Sequence, residues 1–154
     1  LQKNSMVAGG MGENLVIDGV DEFMTFIGDI YRFGGAIIEV SQPRRPCWKP
    51  ARRHRVLDLA LQIQDTGRTG WYYRVLEEGY VEANVTLELI ERPHPEWSIA
   101  AANEVMYVDK DNLRRAYELA SCTALAPNWK RSLERRLRGR ESSIERRVYG
   151  PNKD

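Results

Sequence analysis

The proline pair Pro93 and Pro95 divides the chain into two textures, and that division limits the fold more than any other feature. Ahead of it, from Asn14 to about Arg92, β-branched and aromatic runs alternate with glycine turns, the pattern of strands. Behind it, apolar residues recur at helical spacing. The arrangement implied is a β-rich domain over residues 1–92 and a three-helix domain over residues 93–150, with the prolines as a hinge. The 154 residues suffice for one domain, or one domain with a small appendage.

In the first half, NLVIDG reads as a short strand closed by the turn Asp18-Gly19. Gly34-Gly35 lies between two extended runs and predicts a hairpin. Ile37, Ile38 and Val40 favour its second strand, and Pro43 ends it. Val56 to Gln64 is the exception: Leu57, Ala60, Leu61 and Gln64 fall at helical spacing, with Gly67 as C-cap. GWYYRVLEEGYVEANVTLELIER predicts two strands joined through Glu78-Gly79, the second centred on Thr86 to Ile90. In the second half, Trp97 to Met106 is the first helix. Asp111 to Ser121 is the second, capped by Asp111, with Leu113, Ala116, Tyr117 and Ala120 on one face. Pro127 to Leu137 is the third, with Trp129, Leu133 and Leu137 at i, i+4 and i+8, Pro127 at its start and Gly139 past its end. The opening LQKNSMVAGGMG has no period and reads as a loop.

Charge and cysteine usage narrow the class. The formal net charge is +1, so the molecule as a whole is not a polyelectrolyte partner for nucleic acid. Two widely separated cysteines, Cys47 and Cys122, are no disulfide framework and suit a reducing cytoplasm. No apolar run reaches the roughly 18 residues of a membrane span, and no secretory leader is seen. Lys130 to Arg147 holds eight cations and three glutamates. A solvated helix face is the preferred reading, since Glu134 and Arg138 stand at i, i+4; docking to an acidic partner stays open.

The segment SQPRRPCWKP, Ser41 to Pro50, is the densest in chemistry. Nearby cations favour the reactive thiolate form of a cysteine, and Arg44, Arg45 and Lys49 lie within three residues of Cys47. Pro46 keeps Arg45 extended, so the segment is stiff. Local sequence leaves a poised thiolate and a small buried hydrophobe about evenly matched. Zinc would want clustered ligands, whereas Cys47, His54, His94 and Cys122 are scattered. A Cys-His pair through His54 or His94 has no supporting signature. GGMGEN lacks the Lys-Ser or Lys-Thr of a P-loop and the third glycine of a dinucleotide fingerprint. Cys122 reads as core.

Together, MGENL followed by DG, GDIYRFGGAIIEVSQPRRPCWK, TGRTGWYYRVLEEG, and the tail NWKRSLERRLRG before RR-x-YG resemble the MOSC domain, named after the C-terminal part of molybdenum cofactor sulfurases. The branch it most resembles is the stand-alone bacterial YiiM-like one with a C-terminal three-helix domain. The similarity runs from about Met11 to Gly150, and SQPRxPCxK is its specific signature.

The resemblance implies a mainly β fold, a β-barrel, followed by the three helices. It implies a pterin molybdenum cofactor whose metal is bound by Cys47, a soft ligand suited to such a metal. Arg44 and Lys49 are then cations around the metal or contacts to the pterin phosphate. Trp71 and Arg74, with Tyr72, form a pocket wall. Glu13 and Asn14 line the substrate side, Asn14 as both donor and acceptor. The implied activity is reduction of N-hydroxylated compounds such as hydroxylaminopurines and amidoximes, with electrons from a separate flavin-containing reductase, since no flavin or nicotinamide motif occurs here. The alternative is a sulfur carrier that holds a persulfide on Cys47. Relatives also carry a longer N-terminal section with strands and a His-Gly-Gly motif. Without it, the expectation is an unclosed barrel with unpaired strand edges, a route to a homodimer.

Overall fold

The structure is a computed structural model and describes residues 8–141 and 143–151; the loop predicted over Leu1 to Val7 lies outside them. β1 (Ile30–Phe33) and β2 (Ala36–Pro43) form the expected hairpin, Phe33 pairing with Ala36 across Gly34-Gly35. Gly34 has φ +60, which the turn demands and glycine adopts without strain. The chain returns over this turn. Gly35 N donates to Tyr80 O at 2.9 Å, and a Cβ on Gly79 would stand 2.1 Å from the Gly35 carbonyl.

That close approach decides the next strands. β3 (Trp71–Glu77) pairs antiparallel with β2, and β4 (Leu87–Glu91) with β1, giving the order β3-β2-β1-β4. Both strands exist as predicted, but Glu78-Gly79 does not fold one onto the other. Residues 78–86 instead carry the chain across the hairpin end to the opposite edge. The expected barrel is not closed among the described residues: the sheet is open, and β3 and β4 each keep an unpaired edge. NLVIDG forms no strand. Among the described residues nothing pairs with its backbone, and Val16 is 64% exposed. Asp18-Gly19 is a bend, as expected.

Two helices separate β2 from β3. α1 (Trp48–His54) was not foreseen, because Pro46 and Pro50 read as loop formers. Pro50 lies in its first turn, where a missing N–H removes no helical bond. α2 (Leu59–Thr66) ends at Gly67 in the left-handed conformation, as expected. It begins after Leu57, which is exposed, and buries Leu59 and Ala60.

Beyond the prolines, α3 (Ile99–Asn103) runs into one π-helical turn, Glu104–Val108. α4 (Leu113–Ser121) is capped by Asn112 rather than Asp111: its side chain accepts from Arg115 N at 3.1 Å. α4 buries Ala116 and Leu119, while Leu113 and Tyr117 are exposed, so the inward face is rotated from the expected one. α5 (Pro127–Leu137) follows its prediction, with Trp129 and Leu133 fully buried. A short α6 (Glu145–Tyr149) adds a further helix that packs near α1. No helix among the described residues is long and apolar enough to cross a membrane.

One hydrophobic core joins strand residues such as Tyr31, Ile38 and Val40 to helix residues such as Ile99, Trp129 and Leu133. The proline junction is clamped across it. Ile27 N donates to Trp97 O at 2.8 Å and Ile99 N to Thr25 O at 2.9 Å. Pro93 and His94 pack on Gly28, where a Cβ would lie 2.9 Å from the histidine ring. At the start of β1, Asp29 is fully buried and takes both Arg92 Nε and Nη2 at 2.8 Å.

Candidate functional site

β2 ends at Pro43 opposite Trp71, and Arg44 N donates to Gly70 O at 2.9 Å. The chain then leaves the sheet extended and reaches Cys47 at φ −142, ψ 169, the N-cap position of α1. Cys47 is half-buried and in no disulfide, and its side chain makes no capping bond. Backbone and prolines thus hold a sulfur that the local structure does not use. Cys122 differs: it is buried in the core, and burial raises its thiol above the ordinary range.

The cations around Cys47 hold a loop. Arg44 Nη2 donates to Met11 O at 2.6 Å and Arg53 Nη1 to Gly9 O at 3.3 Å. His54 Nε2 lies 2.7 Å from Gly10 O, so that nitrogen carries the proton. Three consecutive carbonyls are therefore gripped by side chains that bracket the cysteine in sequence. Glu13 closes the loop from inside, its carboxylate accepting from Gly9 N at 2.7 Å and Met11 N at 2.8 Å. Burial pushes its pKa up, but these amides, its own N–H and the Arg44 charge outweigh burial and leave it below the usual carboxylate value.

A pH dependence follows. Because the folded-state pKa is depressed, Glu13 stabilises the loop above its ordinary value of 4.5 and loses that contribution as pH falls through the lowered one. The Gly9 and Met11 amide resonances are expected to titrate together in this acid range and to stop titrating in Glu13→Gln. Amides that move identically in the variant would show that another group drives the change.

The structure thus brings Glu13 and Arg44 together beside the Cys47 segment. Asn14 follows on the exposed side of the loop, and Lys49 is exposed in the first turn of α1. Trp71 is half-buried at the sheet end nearest Arg44, in edge contact with Tyr73. Tyr72, beside it, is 50% exposed. Arg74 lies further along β3, ion-paired with Glu39 and with Nη2 3.5 Å from Ala124 O. His94 sits at the proline junction near Thr123 and Glu96.

Sequence reasoning missed the support from the C-terminal helices. Arg147 Nη1 donates to Pro46 O, and its Nη2 reaches Gln64 Oε1 at 2.7 Å. It therefore fixes the carbonyl directly before Cys47 from 101 positions away. Arg136, buried, donates to Val105 O and Met106 O at 2.7 Å and pairs with Glu141. The basic tail is thus not only a solvated face. Its one signal was the arginine pair in RR-x-YG, and nothing local says where an arginine points.

Residues 1–88 match the MOSC domain, and residues 97–140 match the YiiM-like, 3-alpha helix domain. YflK of Bacillus subtilis is 42% identical over 121 residues, covering 79% of this chain and 55% of its own length. YiiM of Escherichia coli is 37% identical over 150 residues, covering 97% of this chain and 66% of its own length. A Gibberella moniliformis protein named as a reductase is 38% identical over 118 residues, 76% of this chain and 20% of its own. The crystal structure of YiiM from Geobacillus stearothermophilus superposes with a TM-score of 0.83 at 41% identity, over 86% of this chain and 68% of that one. This chain therefore spans between about half and two thirds of the length of its two bacterial curated relatives. With more than half of its residues inside the MOSC match and α3, α4 and α5 inside the second, the chain belongs to the MOSC domain family, in the form that carries the YiiM-like three-helix domain.

Proposed function

We propose that the protein is a molybdenum-cofactor-dependent oxidoreductase that reduces N-hydroxylated compounds, hydroxylaminopurines and amidoximes among them, with Cys47 as the protein's ligand to the metal. The observation that carries this is the Cys47 thiol itself: held extended before α1, half-buried, and used by no cap or disulfide. Among the described residues no group of three or more His, Cys, Asp or Glu could hold a metal. One sulfur donor of this kind fits a metal that arrives already chelated by its own cofactor. Membership of the MOSC family and the reductase name of one relative support the same reading.

When bound, the cofactor supplies a metal able to take up oxygen from an N–OH group and to be reset by two electrons. The chain's part is placement. Cys47 presents the sulfur. Arg44 and Lys49 supply positive charge toward an anionic cofactor, and Trp71 stands at the β3 end nearest Arg44; Arg74, expected beside it, is turned instead to Glu39 and Ala124. Glu13 holds the 9–13 loop, and Asn14, exposed on it, offers donor and acceptor to the N-hydroxyl group. Electrons come from a separate flavin-containing reductase. The unpaired edges of β3 and β4 are where further strands would close a barrel or where a second copy of the chain would pair.

The test is molybdenum and pterin content of the full-length protein from a cofactor-producing host, followed by benzamidoxime reduction with a reduced dye as donor. Near-stoichiometric metal and turnover are expected. Metal-free protein that carries a persulfide on Cys47 would overturn this reading in favour of sulfur transfer.

A further inference from the structure

The basic tail carries charge that the fold itself does not use. Lys130 to Arg147 holds eight cations against three glutamates, a net +5 in a chain whose whole is +1. The remainder is therefore acidic, and the molecule is an electrostatic dipole. Arg136 and Arg147 donate to carbonyls, and Lys130 Nζ reaches Thr123 O at 3.3 Å. Arg131 and Arg135 of α5 and its C-cap Arg138 stand at i, i+4 and i+7, on one face, and all three are exposed. Past Gly139 the chain turns back, so that Arg140 N donates to Arg135 O at 2.8 Å. None of these four guanidinium groups has a carboxylate within ion-pair distance among the described residues. Arg32, Arg74, Arg92, Arg114 and Arg115 each hold one. Glu134, the one carboxylate of α5, pairs with neither Arg131 nor Arg138, so the i, i+4 contact that favoured a solvated face is not made.

What lies on either side of this ridge indicates what it meets. Tyr117, Ala120 and Leu137 line a slot of about 200 Å³ between α4 and α5, together with Glu134 and Arg138, and Tyr117 is 64% exposed. Arginine beside an exposed tyrosine is the composition of protein–protein hot spots. The exposed positions of α5 carry no aromatic ring on which bases could stack, which disfavours single-stranded nucleic acid. On the other side, Arg135 lines the cationic cavity that α5, α6 and the π-helical turn leave beside the Cys47 segment. The ridge therefore borders the place where electrons must arrive. Each N–OH reduced to N–H consumes two electrons and two protons and releases water, and a reduced flavin on the donor is oxidised in supplying the electrons.

We propose that the arginine ridge of Arg131, Arg135, Arg138 and Arg140, with Tyr117 beside it, is the docking surface for the acidic face of the protein electron donor. The inference rests on the oxidoreductase reading and adds to it the place where the donor binds. Opposite charge on the two faces steers their encounter, and the tyrosine slot supplies the apolar contact that holds it.

The experiment compares two donors for benzamidoxime reduction by the cofactor-loaded full-length protein: a reduced viologen dye, and reduced flavodoxin, a small acidic flavin protein. Calorimetry follows flavodoxin binding alongside. Arg131→Glu/Arg138→Glu is expected to raise the flavodoxin concentration at half-maximal rate by about tenfold and to leave dye-driven turnover unchanged. Added salt should weaken the parent's use of flavodoxin and affect the variant less. Tyr117→Ser, which changes no charge, is expected to weaken flavodoxin docking several-fold. Arg32→Gln, on β1, is the control and is expected to behave as the parent does. Dye-driven turnover with an unchanged flavodoxin dependence in Arg131→Glu/Arg138→Glu overturns this proposal alone. Absence of dye-driven turnover in the parent overturns the oxidoreductase reading and this proposal with it. A parent that turns over with dye but neither binds nor accepts electrons from flavodoxin overturns the acidic-donor assignment. Tighter binding of the parent to oligo(dT) or to phosphatidylserine vesicles than to flavodoxin assigns the ridge to nucleic acid or membrane and likewise overturns it.

Discussion

Cys47→Ser is expected to abolish retention of molybdenum and reduction of N-hydroxylated substrates while leaving the fold intact or slightly firmer. The two halves of that expectation have separate causes. A serine hydroxyl is a poor ligand for a metal that a thiolate binds, and losses on the order of 100-fold follow even from smaller disturbances around a bound metal. Stability should move the other way. Cys47 occupies the N-cap of α1 and makes no capping bond. Serine is among the preferred N-cap residues, and its oxygen can accept from an amide of the first turn, a gain of up to about 1 kcal/mol. Metal content, turnover and the thermal midpoint are measured together. Metal retained in the variant would end the assignment of Cys47 as ligand. A folded, metal-free, inactive variant is the predicted result, and misfolding would mean that the sulfur is structural.

Arg92→Ala is expected to destabilise the protein by about 3–5 kcal/mol. Asp29 is fully buried and accepts four hydrogen bonds: from Phe26 N and Tyr31 OH at 3.0 Å, and from Arg92 Nε and Nη2 at 2.8 Å. Arg92 Nη2 also reaches Met24 O at 3.0 Å, and its guanidinium lies over the Phe26 ring. The hydrogen bonds to Asp29 come first among the causes that raise its pKa further, against burial. Truncation leaves a buried carboxylate with two donors and no countercharge. Arg92→Ala/Asp29→Asn removes that charge, so it should be less destabilised than Arg92→Ala alone. Urea unfolding of the two variants checks the size of the first loss and the direction of the second. A loss below about 1 kcal/mol in Arg92→Ala would mean that Asp29 relaxes toward water. The same contacts explain why the proline junction is a clamp: Arg92 precedes Pro93 and ties it to the start of β1.

Several elements were legible in the sequence because their causes are local. The β1–β2 turn needs Gly34-Gly35, and both glycines are in the string. α5 announces itself by Pro127 at its start, Trp129 and Leu133 on one face, and Gly139 after its end. Gly67 caps α2 for the same kind of reason, a left-handed residue next to the last helical one. The motif around Cys47 marked the segment, with three cations and three prolines within a few residues of one sulfur, but local sequence left a poised thiolate and a buried hydrophobe evenly matched.

What only the tertiary structure decided depends on partners far along the chain. β3 and β4 go to opposite edges because Gly79 packs on Gly35 instead of turning back. The face that α4 buries follows from where the strand core lies, not from its own spacing. NLVIDG had the composition of a strand and formed none, because a strand needs a neighbour to bond. Arg147 fixes Pro46 across 101 positions, and the cationic cavity beside Cys47 arises only when α5 and α6 close over the segment. Periodicity and turn chemistry act within a few residues and are written in order along the chain; packing and long-range charge act between residues that only folding makes neighbours.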